Sequence, residues 1–230
     1  MKTEINENSG NVNLARRSFL RYAGAGVAGI GVLAAASCTK KNGYVPPATY
    51  DIGSGDLGIL NYAYALEQLE AAFYLQVTAT PYSGISAYET AVLTDIRDHE
   101  VCHRGFFKAA LGSNGIPSLS ANFSSINFSD RTSVLSAAKA FEDTGVSAYD
   151  GAGYLIQSGT YLTLAGKIVS VEARHASLIR NLISPGTFVD STVIDSNSVN
   201  ISKTIAQVLP IANTYLTTKV SASNYGYIAS

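Results

Sequence analysis

Asp98-His99-Glu100-Val101-Cys102-His103, with its echo Glu172-Ala173-Arg174-His175, is the stretch whose reading decides the fold. Each places a glutamate three residues before a histidine. On a helix, positions i and i+3 share a face, so each pair offers a carboxylate and an imidazole to one space. The chain has only three histidines, and two of them, His103 and His175, sit in this register. Coincidence accounts poorly for that.

Around the first pair, Leu93, Ile96, Glu100, His103, Phe107 and Ala110 recur at helical spacing. The run opens on the capping box Ser86-Ala87-Tyr88-Glu89 and stops at Gly112. Around the second, Leu164, Ile168, Glu172, His175, Ile179 and Leu182 recur likewise, between Ser158-Gly159 and Ser184-Pro185-Gly186. A further helix precedes each. The first is expected from Leu57, with Asp56 as N-cap and a stripe of Leu60, Ala63, Glu67, Ala71, Tyr74 and Val77; Pro81 and Gly84 end it. The third is expected after Asp130, with Leu135, Ala138, Glu142, Val146, Tyr149 and Ile156 facing inward. Glu67 precedes Tyr74 by the same seven residues that separate Glu142 from Tyr149. Each half therefore reads Glu…Tyr, then Glu-x-x-His, the pattern of a duplicated helical hairpin.

Residues 113–129 form a Ser/Asn-rich loop, long for a compact domain. Extended, it reaches roughly 56 Å, whereas a helix of about 25 residues is roughly 37 Å long. It can run the length of a bundle and start helix 3 at the far end. The expectation is an all-α fold: an up-down-down-up four-helix bundle with a long crossover between helices 2 and 3.

Glu67, Glu100, Glu142 and Glu172 each replace an apolar residue in an inward stripe, near mid-helix. An unpaired buried carboxylate costs several kcal/mol, and Arg97, Arg104 and Arg174 lie beside this face rather than on it. Two divalent cations would bring four carboxylates and two neutral imidazoles to zero charge. Carboxylate and imidazole donors suit iron or manganese.

At these residues the chain resembles the ferritin-like four-helix bundle proteins, and within them the exported bacterial ferritin-like and desiccation-related group. The resemblance spans about residues 56–183. It is carried by the two motifs above with Leu66-Glu67-Gln68-Leu69-Glu70-Ala71 and Phe141-Glu142-Asp143-Thr144-Gly145-Val146. It implies a dinuclear centre in which Glu100 and Glu172 bridge both ions, with Glu67 and His103, and Glu142 and His175, as the more terminal ligands. It also implies reaction with oxygen or peroxide, or metal sequestration. Glu70 departs from the pattern, standing where a small or apolar residue is expected, and offers a second candidate ligand on the first helix; Glu67 is preferred because its spacing to Tyr74 repeats in the other half, which leaves Glu70 to support the site from outside.

Other readings stay open. His99-Glu100-Val101-Cys102-His103 is also a literal H-E-x-x-H, the zinc-peptidase helix, though it leaves Glu67, Glu142, Glu172 and His175 without a role. On the dinuclear reading His99 supports the site from outside or is exposed. A metal-free structural or stress-protective envelope protein is the third reading. Tyr74 and Tyr149 read first as core residues with satisfied hydroxyls, and otherwise as redox-active groups or as hydrogen-bond partners of the carboxylates. Cys102 points away from the site as a small packed residue, and Asp143 and Asp150 are expected to face solvent.

The ends carry addresses rather than chemistry. Ala15-Arg16-Arg17-Ser18-Phe19-Leu20-Arg21 resembles a twin-arginine export signal, followed by an uncharged apolar run from Gly24 to Ala36. Leu33-Ala34-Ala35-Ala36-Ser37-Cys38 resembles a lipoprotein box that would make Cys38 the lipidated first residue; Ala34-Ala35-Ala36 would also serve an ordinary signal peptidase. Residues 1–37 are thus read as a leader and 38–55 as a tether. The bundle takes 56–183, and 184–230 are a polar extension with one short helix near Lys203–Leu209, interrupted by Pro210. The expected location is the periplasm, outer membrane or cell surface, with a lipid tie to the membrane. Sixteen basic against 17 acidic residues argue against a nucleic-acid partner, which needs concentrated positive charge.

Overall fold

The computed structural model describes residues 49–229. The leader, Cys38 and most of the expected tether lie outside them. Four long helices follow in order: α1 (Gly55–Ala79), α2 (Ala87–Leu111), α3 (Arg131–Ala152) and α4 (Gly159–Ile183). A fifth, α5 (Ile205–Asn213), and two short strands, β1 (Thr49–Asp51) and β2 (Lys219–Ser221), complete the chain. The fold is a mostly helical four-helix bundle, as expected. No helix among the described residues is long and apolar enough to cross a membrane.

The helix starts follow their caps. Ser86 and Glu89 form the full capping box of α2, and the Asp130 carboxylate accepts from Ser133 N at the head of α3. Asp56 behaves otherwise. Ser54 is the N-cap of α1, and the Asp56 carboxylate instead accepts from the backbone amides of Gln157 and Ser158 at 2.8 and 2.9 Å. It pins the start of α1 to the start of α4. Ile156, expected on helix 3, falls beyond its end, which a 3-10 turn at Gly153–Leu155 closes.

Helices α1 and α2 pair as one hairpin and α3 and α4 as another. The crossover that joins them runs along α1. Asn61, buried on α1, donates to Asn114 O at 3.0 Å and accepts from Ile116 N at 2.8 Å. Two turns on, the Gln68 amide accepts from Leu119 N at 2.7 Å. Buried backbone needs hydrogen-bond partners, and these two polar residues of α1 provide them. Farther along, Phe123 and Phe128 pack their rings on Phe73 of α1. With neighbours on every side, α1 is apolar nearly all round and buried over most of its length.

The C-terminal extension is part of the body. β2 pairs in parallel with β1, Tyr50 opposite Val220, so residues from Thr49 onward, expected as tether, are structured, and the all-α expectation gains a two-stranded sheet. Pro210 lies inside α5 rather than ending it, while Val208, Leu209 and Ala212 are buried. Lys219 Nζ donates to the carbonyls of Asn213 and Leu216 at 2.6 and 2.7 Å, placing a cation at the negative end of α5. Arg180, almost wholly buried, grips Asp143 through two hydrogen bonds of 2.8 and 2.7 Å and reaches Asp190 at 2.9 Å. Asp143 therefore faces an arginine and not solvent, and Asp150 is half-buried with its carboxyl held above the usual range by burial.

Lys203 N donates to Ser147 O at 2.9 Å, and this approach needs Gly151. A Cβ at 151 would stand 1.9 Å from Lys203 O. Gly151→Ala is expected to lower stability by about 1–3 kcal/mol through overpacking, read as a lower urea midpoint; an unchanged midpoint would mean that the extension does not hold this seat.

Candidate metal centre

Mid-bundle, each helix sends one glutamate inward. Glu67, Glu100 and Glu142 expose nothing to solvent and Glu172 only 1 %. The spacing that put each in an apolar stripe also makes all four converge. His103 and His175, one turn past Glu100 and Glu172, reach the same space. His103 Nδ1 lies 2.6 Å from Glu172 Oε1 and 3.5 Å from Glu67 Oε2. His175 Nδ1 lies 2.9 Å from Glu100 Oε1, 3.1 Å from Glu172 Oε2 and 3.6 Å from Glu142 Oε2.

The six residues fall into two groups. Glu67, Glu100, His103 and Glu172 offer ligand atoms that all lie within 4.8 Å of one another, as do Glu100, Glu142, Glu172 and His175. Glu100 and Glu172 belong to both. Glu67 Oε2, both oxygens of Glu100, His103 Nδ1, Glu142 Oε2 and Glu172 Oε1 are buried without an aligned hydrogen-bond partner. Buried polar atoms normally have one. Here six such atoms, all carboxylate oxygens or imidazole nitrogen, belong to residues of the two groups, where a cation would satisfy them. The donor chemistry fits iron or manganese.

The tyrosines cross between the halves. Tyr74 of α1 donates to Glu142 Oε1 of α3 at 2.5 Å, and Tyr149 of α3 donates to Glu67 Oε1 of α1. The later residue on one helix meets the earlier on the other, so α1 and α3 are antiparallel and the bundle is up-down-down-up. Their hydroxyls are satisfied by the carboxylates themselves. Each bond occupies one oxygen of its glutamate and leaves the other turned to the cluster.

His99 is exposed. Its ring stacks on that of His175, 11° from parallel, with Nδ1 2.9 Å from His175 Nε2. If His99 accepts there, the His175 proton sits on Nε2 and Nδ1 is left free for a cation. His99 belongs to neither group, so the two histidines of the H-E-x-x-H stretch do not share a site. Cys102 is exposed rather than packed. Glu70 is buried but also outside both groups. Its carboxylate occupies the space that a side chain at position 145 would fill, since a Cβ on Gly145 would lie 2.9 Å from Glu70 Oε1. Burial first, then the charges of Glu100, Glu142, Glu172 and Glu67, push its pKa well up.

The sequence profile of the ferritin-like domain matches residues 55–185. The chain belongs to the ferritin-like family. Comparison with curated proteins returns no match. The matched span takes in all four helices and all six converging residues, and leaves out the β-strand pair and α5. Arg180, Asn61 and Gln68 were not legible as structural residues; Asn61 and Gln68 left a trace, two polar residues seven apart in an apolar run.

Without metal, protons balance the cluster. Burial opposes charge on His103, but the carboxylates of Glu172 and Glu67 outweigh it and push the pKa up to about 10. His175 is likewise opposed by burial and driven up to about 12 by Glu100, Glu142 and Glu172. Burial raises Glu172, yet the two imidazoliums bring it down to about 2. Burial holds Glu67, Glu100 and Glu142 above the ordinary range. A cation must displace these protons, since ligating imidazole is neutral and ligating carboxylate ionised. Metal binding at pH 7 should therefore release protons from both histidines, and affinity should rise with pH. Calorimetry in buffers of different ionisation enthalpy measures the release; binding with no proton release would contradict this protonation pattern.

Proposed function

We propose that this ferritin-like protein holds a dinuclear iron or manganese centre, to which Glu100 and Glu172 would contribute in both ligand sets. Glu67 and His103 complete one ligand set, and Glu142 and His175 the other. The observation that carries the reading is the set of orphaned, fully buried donor atoms in two groups, with two carboxylates common to both. Such a pair of ions supplies one-electron redox steps toward dioxygen or peroxide; sequestration of the metal is the simpler use of the same ligands. Tyr74 and Tyr149 hold the terminal carboxylates in place. His99 fixes the tautomer and orientation of His175 from outside. Glu70, packed against Gly145, stands outside both ligand sets.

Export by the twin-arginine route and lipidation at Cys38 are part of the proposal, on the strength of the leader sequence. The centre would then work in the cell envelope, in the periplasm or at the outer membrane or cell surface. A route for folded chains suits a protein that acquires its metal before crossing.

Elemental analysis of the purified protein tests the reading. Two equivalents of iron or manganese per chain are expected. Glu172→Ala should abolish both, because it removes a donor from each group, while Glu67→Ala should spare the group containing His175. Glu70→Gln should keep the full count. One zinc per chain that survives Glu172→Ala would point to the peptidase reading, and no metal in the parent to a structural protein.

A further inference from the structure

Beside the cluster lies a cavity of about 30 Å³ between the first half of α1, the end of α2, the end of α3 and the start of α4. Leu66, Phe107 and Tyr149 form its inner wall. Leu66 adjoins Glu67 in sequence, Phe107 is one turn past His103, and the Tyr149 hydroxyl is bound to Glu67. Half-buried Ile156, Tyr161 and Leu164 border its outer side. Its surface is almost entirely carbon.

The two halves of the bundle differ here for a reason visible in the sequence. The offset that relates Glu142 to Glu67, and Tyr149 to Tyr74, relates Ala148 to Phe73 and Ala152 to Val77. At the far end Phe73, fully buried, packs against Phe123, Phe128 and Phe141 with ring centroids 5.0–5.9 Å away. At this end the corresponding position is an alanine, and space remains. Phe73 fills its position among rings, whereas Ala148, its counterpart, leaves a small cavity among Leu66, Phe107 and Tyr149.

We propose that this cavity takes a small apolar gas, and that dioxygen reaches the cluster through it on the His103 side. This rests on the dinuclear reading and narrows its substrate. Water in a protein cavity needs two to four polar partners, and peroxide needs hydrogen bonds as much as water does; this wall offers neither. An apolar cavity of this kind stays dry. Its volume, about two water-sized spheres on the scale where one sphere needs roughly 10–15 Å³, suits a diatomic molecule.

Two measurements test the proposal. Crystals of the metal-free protein under xenon pressure should show xenon in the cavity of the parent and none in Ala148→Leu; Ala152→Val, which installs the residue found at its counterpart, is the milder variant should the first fold poorly. In iron(II)-loaded protein, Ala148→Leu or Ala152→Val should slow oxidation by dioxygen roughly tenfold, the effect of about 1.4 kcal/mol on a barrier, and leave oxidation by hydrogen peroxide unchanged. No xenon in the parent cavity, or dioxygen and peroxide rates that fall together or not at all, would overturn it. The metal count separates the two failures. Two ions per chain with no xenon sinks the gas route alone, whereas a parent without metal sinks the dinuclear reading and with it the oxygen assay, leaving xenon to decide whether the cavity accepts a gas.

Discussion

Four carboxylates in a dry interior are the constraint on which the rest of the structure depends. Glu67, Glu100, Glu142 and Glu172 are as buried as any leucine in the core, and a buried unpaired charge is costly enough to unfold a domain of ordinary stability. Compensation comes from within the cluster. Two tyrosines each take one oxygen, two imidazoles stand among the remaining ones, and protons or cations supply the positive charge. An arginine would also supply it, and the fold spends its buried arginine elsewhere, on Asp143 and Asp190.

That arrangement sets the scaffold. Carboxylates that meet at mid-bundle require four helices in register, and the crossed Tyr–Glu bonds fix α1 antiparallel to α3. The crossover must then span the bundle, and its backbone is carried by Asn61 and Gln68. The extension adds a second layer of restraint, with β2 zipped to β1 and the chain pressed against Gly151. The result is a frame around a polar centre whose two halves differ: Phe73 packs among aromatic rings in one, and its counterpart Ala148 lines a small cavity in the other.

Much of this was legible in the sequence because helical period and carboxylate placement are local signals. The four long helices, the capping box of α2 and the convergence of six donors follow from residues spaced three or seven apart, and the crossover from the length of the Ser/Asn-rich run 113–129. Glu67 rather than Glu70 lies in the cluster, in keeping with the seven-residue spacing to Tyr74. What escaped depends on contacts distant in the chain. The Asp56 carboxylate looked like a cap because the amides it holds are about a hundred residues away. Asp143 looked solvated because its partner, Arg180, is on another helix. A polar extension with no periodicity gave no sign of the strand it adds to Thr49–Asp51, since three-residue strands carry too little pattern to read. Pro210 read as a helix end, yet a proline six residues into a helix forfeits one hydrogen bond that the buried face of α5 offsets.

The most direct test of the central claim is anomalous diffraction at the iron or manganese edge from crystals of metal-loaded protein. Two peaks are predicted, one within Glu67, Glu100, His103 and Glu172 and the other within Glu100, Glu142, Glu172 and His175. A single peak held by His99 and His103, or metal only on the surface with the six side chains undisturbed, would contradict the account.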